Sequence, residues 1–370
     1  MKEKNLTFNI VKPLLSISKS VLILCALLLA CNGEVTKSIE SKPKAFGKYN
    51  EIVVVADDTV WDGMVGDSFK YYFASAYPIM PSPEPIFDLR HFTTEELYAE
   101  PLRKELRTYI ILADLSDFES PTTRMVTKDI GDNQAGEAMK NPKKNSTVGK
   151  NKWANGQVLI YLFGNSPESV ANSITQNFSA ATQRIHEHDA RMLKQMTYAR
   201  ELNLGYQAKI QDYFNIELPI PADFRQVVLE EEEPLIWLRK DTKDAIMNLV
   251  FMKMPYKDKS QFTKKEIVTA INAYGEKFVD GEKPNDKMVV NEEDLPIYEY
   301  AAEVDGQYSV ELRGLWEMTQ SFVGGPFTAN LITSKDGKEV ILALSYVYAP
   351  GADKRDLVQQ LDYMIKNIEL

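Results

Sequence analysis

Cysteine and histidine are scarce in this sequence, with two and three residues respectively among 370. Cys25 lies inside an apolar run near the start and Cys31 just after it, so no cysteine beyond residue 31 is available for a disulfide or a thiolate metal site. The histidines, His91, His186 and His188, restrict imidazole chemistry to two stretches of the chain. Positive charge is also short. The net charge is −10, and residues 1–30 carry Lys2, Lys4, Lys12 and Lys19 against Glu3, a surplus of three positive charges, so the chain without them stands at −13. A body that acidic excludes nucleic acid as a partner and argues against adhesion of the protein body to an anionic bilayer. No apolar run reaches the roughly 20 residues that a membrane-spanning helix needs. What remains, 44% hydrophobic and 26% charged, is a globular composition, long enough for two domains at about 150 residues each.

What is present begins with an address. Lysines precede the apolar core Val21–Ala30, and small Ala30 stands directly before Cys31, as in an export signal. Leu28-Leu29-Ala30-Cys31 resembles the bacterial lipobox, in which the thiol takes up a diacylglyceryl group and the peptide is cut just before the cysteine. The alternative is an ordinary secretory signal with a chance cysteine. The resemblance implies a lipoprotein held at a membrane through lipid on Cys31, with residues 1–30 removed. One acyl chain binds only marginally, so durable attachment takes several. Residues 31–46 are polar and aperiodic, which reads as a flexible tether. Asn32 is unlike the aspartate that resembles an inner-membrane retention signal, and no acidic cluster follows it. The expected location is therefore the outer membrane, facing the periplasm.

The ordered body is expected to be α+β, as two α/β units spanning residues 47–204 and 205–370. The β-branched run Asn50–Ala56 suits a buried strand, and Asp57 and Asp58 suit the start of a helix carrying Phe69, Tyr72 and Phe73. Four prolines make the passage Tyr77–Pro85 non-helical. A helix over Thr94–Arg107 leads to strands at Thr108–Leu115 and Gln157–Phe163. Between them Ser116–Gly156 reads as a long polar loop with local helix at Pro121–Ile130. Ser166 and Pro167 open a long helix, 166–202, whose Val170, Ile174, Phe178, Ala181, Ile185, Met192, Met196 and Ala199 share one face. In the second unit, strands are expected at Phe214–Leu218, Leu235–Leu238 and Met247–Met254, and a helix at Thr263–Phe278. A charged linker follows at Asp280–Asp294. Asp336-Gly337 marks a hairpin turn between Leu331–Ser334 and Val340–Tyr348. A final helix presents Leu357, Leu361, Met364, Ile365 and Ile368. The second sheet should be mainly antiparallel and covered by helices.

Two motifs carry a resemblance. Gly47–Trp61 and Tyr77–His91 resemble an uncharacterised family of Bacteroidota lipoproteins classed as a domain of unknown function, which implies no activity and no catalytic residues. The element order of residues 205–370 is similar to the photosystem extrinsic PsbP-like fold, an analogy of fold that does not carry function.

Gly66-Asp67-Ser68 resembles the nucleophile block of SGNH-type esterases, and Asp88–His91 supplies an Asp-x-x-His, so Ser68 with His91 is the candidate hydrolase pair. In that family, however, the serine directly follows the first strand and the histidine lies near the end of the chain. His186 and His188 stand two apart, which puts them on different faces of a helix and makes a packed histidine the better reading than a metal ligand. No metal or other cofactor is expected. Glu230–Glu233 reads as a solvated turn, lacking the spacing of a calcium loop, and Gly324-Gly325-Pro326 as a bend or bulge. Asp58-Thr59-Val60 resembles a short O-glycosylation site and equally suits a helix start. The passage Tyr77–His91 offers Tyr77, Met80, Phe87, Arg90 and His91 as a binding edge, or else straps across its own domain with Phe87 in the core. The reading is a membrane-tethered binding or scaffolding component of the cell envelope, its partner an unidentified envelope protein or ligand. An envelope hydrolase and a carrier of a small apolar ligand are the alternatives.

Overall fold

The computed structural model describes residues 42–370, so Cys31 and the leader lie outside the described residues. The β-branched run becomes strand β1 (Glu51–Val55) because both of its faces are covered: Ile52 and Val54 enter one apolar cluster, Val53 and Val55 the other. Helices α1 (Asp58–Trp61) and α2 (Met64–Phe73) follow it. Next come β2 (Asp88–Phe92), α3 (Thr94–Ala99), β3 (Thr108–Asp114), α4 (Pro121–Ile130), α5 (Asp132–Lys140), β4 (Ser146–Lys150) and β5 (Val158–Gly164). The five strands form one mixed sheet in the order β2-β1-β3-β5-β4, parallel except for edge strand β4. Helix α6 (Pro167–Thr197) lays Val170, Ile174, Ala181 and Ile185 on one face beside α2, while α3, α4 and α5 cover the other.

The second sheet has eight antiparallel strands. After α7 (Leu204–Phe214) come β6 (Arg225–Glu230), β7 (Leu235–Asp241), β8 (Ile246–Pro255), α8 (Lys264–Phe278), β9 (Met288–Asn291) and β10 (Tyr298–Val304). Then follow β11 (Gln307–Met318), β12 (Gly324–Thr333), β13 (Glu339–Tyr348) and α9 (Arg355–Lys366). The order is β10-β11-β12-β13-β8-β7-β6, with β9 pairing the far half of β11. Helices α7 and α9 cover one face and α8 the other. With one mixed and one antiparallel sheet, the protein is α+β.

Several expectations are corrected. In the polar stretch 116–156 the local helix expected at Pro121–Ile130 is present as α4, but the rest is not a loop: it holds α5 and β4, whose pairing with β5 is non-local and leaves little local signal. The helix expected over 94–107 stops at Ala99, before Pro101, and a short 3-10 turn follows. Phe214 ends a helix instead of opening a strand, and the long helix ends at Thr197. The linker 280–294 contains β9. Gly324 and Gly325 are in regular register with Glu317 and Trp316, without a bulge. Their smallness serves close approach: a Cβ on Gly325 would fall 2.0 Å from the Val347 carbonyl oxygen, to which the Trp316 indole donates at 3.2 Å across the intervening strand. The Asp336-Gly337 hairpin joins β12 and β13, with Gly337 at a φ of +69°.

The proline passage has an unexpected destination. Residues 76–85 form a tongue, closed by Tyr77 N–H donating to the Glu84 carbonyl at 2.6 Å and by a bridge from Ala76 to Pro85. The tongue reaches into the second unit, where Met80 joins the apolar cluster of Ile216, Phe251 and Leu361. Ile79, at its tip, is held at a φ of +66°, costly for a β-branched residue unless its surroundings enforce it. Helix α9 has no side-chain cap from its own N-cap residue, Lys354. Glu84 supplies one instead, its carboxylate accepting from Lys354 N–H at 2.9 Å and Arg355 N–H at 2.7 Å. Arg355 in turn donates to the Pro85 carbonyl at 2.5 Å and pairs with Asp88 at 2.9 Å. Met80→Ala is expected to lower stability by about 2–5 kcal/mol, the cost of a large-to-small change in a closed core. Urea denaturation followed by far-ultraviolet circular dichroism measures it.

Candidate functional site

Of the residues proposed for a binding edge, Tyr77, Met80, Phe87 and His91 are engaged within the molecule, and Arg90 is exposed. Met80 and Phe87 are buried in different cores. The Tyr77 hydroxyl lies 3.5 Å from Arg313, and burial, with Asp362 next, pushes its pKa up to about 12. Arg90 pairs with Glu51 at 2.9 Å, and His91 stacks on Trp61 at 4.7 Å between centroids. The His91 Nε2 is 2.9 Å from the Ala56 carbonyl oxygen, so that nitrogen is turned to the backbone. Ser68 sits within α2, and the glycine of its triplet has a packing role: a Cβ on Gly66 would fall 1.7 Å from the Trp61 carbonyl oxygen. The structure therefore does not assemble Ser68 and His91 into a hydroxyl–imidazole pair. His186 lies tilted against Phe87 at 5.4 Å between centroids, and His188 is half-buried, its pKa lowered by burial and then by Arg107. Among the described residues no three His, Cys, Asp or Glu side chains converge as metal ligands.

Among several clefts, one with a mainly apolar floor lies between α8 and the end of the second sheet formed by β7 and β8. A cleft of about 690 Å³ opens there, floored by Leu235, Met252, Met254, Tyr274 and Phe278. That volume suits a drug-sized molecule. The cleft exists because α8 rides to one side. Gly275 lets the helix press on β9, since a Cβ there would lie 2.1 Å from the Met288 carbonyl oxygen. The Asn272 side chain accepts from Val290 N–H of the same strand at 2.8 Å. Pulled towards β9, α8 leaves the opposite strands half covered, and Met252 and Met254, two apart on β8, project into the gap. Methionines make such a surface adaptable.

The polar groups are at the floor and the mouth. Tyr274 and Tyr346 share a hydrogen bond of 2.9 Å beneath the cleft, and burial raises both phenols so that they stay neutral. At the mouth stand Glu230, Glu232, Glu233 and Glu339 with Lys253 and Lys277. Lys253 faces Glu339 at 3.5 Å and Lys277 faces Glu233 at 4.0 Å, so two carboxylates are left over. The acid run expected to be a solvated turn is the β6–β7 turn, and it forms this rim. The sequence signal was Met252 and Met254 in strand alternation opposite an acidic turn, but nothing local showed that α8 would leave them open.

Comparison with known proteins supplies no activity. Residues 203–367 match the family model of a domain of unknown function (DUF4837), and residues 45–198 match that of a second (DUF8532). The two matches meet in the segment between α6 and α7. Among solved structures, the chain is similar to the crystal structure of LpqN, described as involved in cell envelope biogenesis of Mycobacterium tuberculosis. The identity is 17% and the TM-score 0.25, over 42% of this chain and 83% of that one. A likeness of that size says nothing of function. No curated protein matches.

Gly275→Ala is expected to push α8 off β9 and across the cleft, costing about 1–3 kcal/mol as an overpacked contact does. Thermal unfolding reads the stability loss, and a change in near-ultraviolet circular dichroism from Tyr274 and Trp237 reads the shift.

Proposed function

We propose that this chain is a lipid-tethered binding protein of the bacterial cell envelope, and that the cleft beside α8 holds a small ligand with an apolar body. The observation that carries the reading is the half-covered apolar floor of Met252, Met254 and Phe278 in a cleft of about 690 Å³. Apolar surface of that extent tends to be covered by something in water, at roughly 25 cal/mol for each Å². The surplus of carboxylates at the mouth favours a ligand with a cationic or hydrogen-bonding head over an anionic one.

The envelope placement draws on Leu28–Cys31, with lipid on Cys31 as the tether and the outer membrane, facing the periplasm, as the expected site. No helix among the described residues is long and apolar enough to cross a membrane. The binding or scaffolding component expected from the sequence is narrowed to binding at the cleft, because Met80 and Phe87 of its proposed edge are buried and Tyr77 packs within the molecule.

Titration with dodecylamine and with dodecanoate tests the reading. Dodecylamine should bind the more tightly, by about tenfold at low ionic strength, with the difference shrinking as salt is raised. Ala273→Trp, an exposed position on the cleft wall, should abolish binding while leaving thermal stability near that of the parent. Equal binding by parent and Ala273→Trp would show that the cleft is not the site.

A further inference from the structure

The acidity of this protein is not evenly spread, and its exception lies where the described chain begins. Lys42 Nζ donates to the Asn151 carbonyl at 2.6 Å, Ala45 N–H to Asn155 at 2.8 Å and Phe46 N–H to Glu105 at 3.0 Å. These contacts lay residues 42–46 across one pole of the first unit, beside the starts of β3 and β5. Cations gather there. Lys42 and Lys44 are joined by Lys104, over the Tyr98 ring at 5.1 Å, and by Lys152, over Trp153 at 4.5 Å. Of the nearby acids, Glu100 pairs with Arg103 at 3.0 Å, Glu51 with Arg90 at 2.9 Å and Asp129 with Lys152, while Glu105 enters no ion pair among the described residues and offsets one of the lysines. Among the described residues Lys42, Lys44 and Lys104 enter no ion pair. Between the cations the surface is apolar: Phe46 is 46% exposed, Tyr98 47% and Leu102 63%.

We propose that this pole is a docking surface for an anionic lipid bilayer. Lysines and exposed aromatic and aliphatic side chains together suit the headgroup boundary, the cations meeting phosphate while Phe46, Tyr98 and Leu102 enter the interfacial layer. The path of the chain agrees. The 41 residues before Lys42, including the apolar run Val21–Ala30, leave from this pole. Residues 32–41 reach at most about 40 Å even when fully extended, so anything holding residue 31 at a membrane keeps this pole near it. The surface is independent of the ligand cleft, and it would act whether the attachment is lipid on Cys31 or the apolar run itself.

Hydrogen exchange on the full-length chain reads the docking by position. The protein is incorporated into vesicles of phosphatidylcholine alone or of equimolar phosphatidylcholine and phosphatidylglycerol. Peptides covering residues 42–48 and 98–107 should exchange more slowly in the anionic vesicles, with residues 324–348 of the second sheet unchanged. Lys42→Gln, Lys44→Gln and Lys104→Gln combined should remove that protection, weakening docking by about 100-fold at roughly fivefold per lysine. Raised salt should do the same to the unaltered protein, which guards against a misfolded variant. Equal exchange in both vesicle types, or protection that survives the three substitutions, overturns the proposal. Slowed exchange at this pole only on addition of an acidic soluble protein would overturn it in favour of a protein partner.

Discussion

One carboxylate, that of Glu84, joins the two units. It is buried, it accepts from the backbone N–H groups of Lys354 and Arg355, and it stands where α9 has no cap of its own. Charge-assisted hydrogen bonds of this kind contribute about 1.5–3 kcal/mol, and the helix dipole adds to them. The surrounding contacts all depend on the same placement. Arg355 grips Pro85 and Asp88, while the Asn50 side chain donates to Asp356 at 3.0 Å and to Gln359 at 2.7 Å. Arg313 holds Glu311 at 2.5 Å and Asp362 at 2.6 Å below Tyr77. Arg355 thus ties α9 to the tongue and to the start of β2, Asn50 ties α9 to the residue before β1, and Arg313 joins β11 to α9 beside Tyr77 of the tongue.

Fixing α9 determines what becomes of the second sheet. A helix is about 10 Å across and strands lie about 4.8 Å apart, so one helix covers roughly two strands. The face beneath α9 receives α9, α7 and the tongue with Met80, and it is closed. Among the described residues the opposite face receives one long helix, α8, drawn to β9 by Gly275 and Asn272, with Phe262 of the turn before it. Its uncovered strip is the cleft. The site is therefore a consequence of unequal covering, with the N-terminal unit lending a segment to one face and none to the other.

Elements whose determinants are local could be read from the sequence. The β-branched run of β1, the Ser166-Pro167 start and apolar stripe of α6, the Asp336-Gly337 hairpin and the apolar face of α9 all behaved as their patterns imply. Elements that depend on distant partners could not. Strand β4, Ser146–Lys150, carries no alternating apolar pattern and exists by pairing with β5. Glu84 looked like one polar residue among prolines because its partners are 270 residues away in sequence. The prolines correctly excluded helix from the tongue, but its insertion into another unit has no local sign. The cleft was legible only as a pair of methionines on a strand. The basic pole was hidden for a similar reason: its lysines, at 42, 44, 104 and 152, are scattered through a sequence whose total charge is −10.

The central claim is that the cleft beside α8 is occupied in the cell, and native mass spectrometry of the protein recovered gently from its own envelope tests it most directly. The account predicts a small apolar molecule bound at one per chain, released when the protein is unfolded. A protein that emerges bare under conditions that preserve its fold would contradict it.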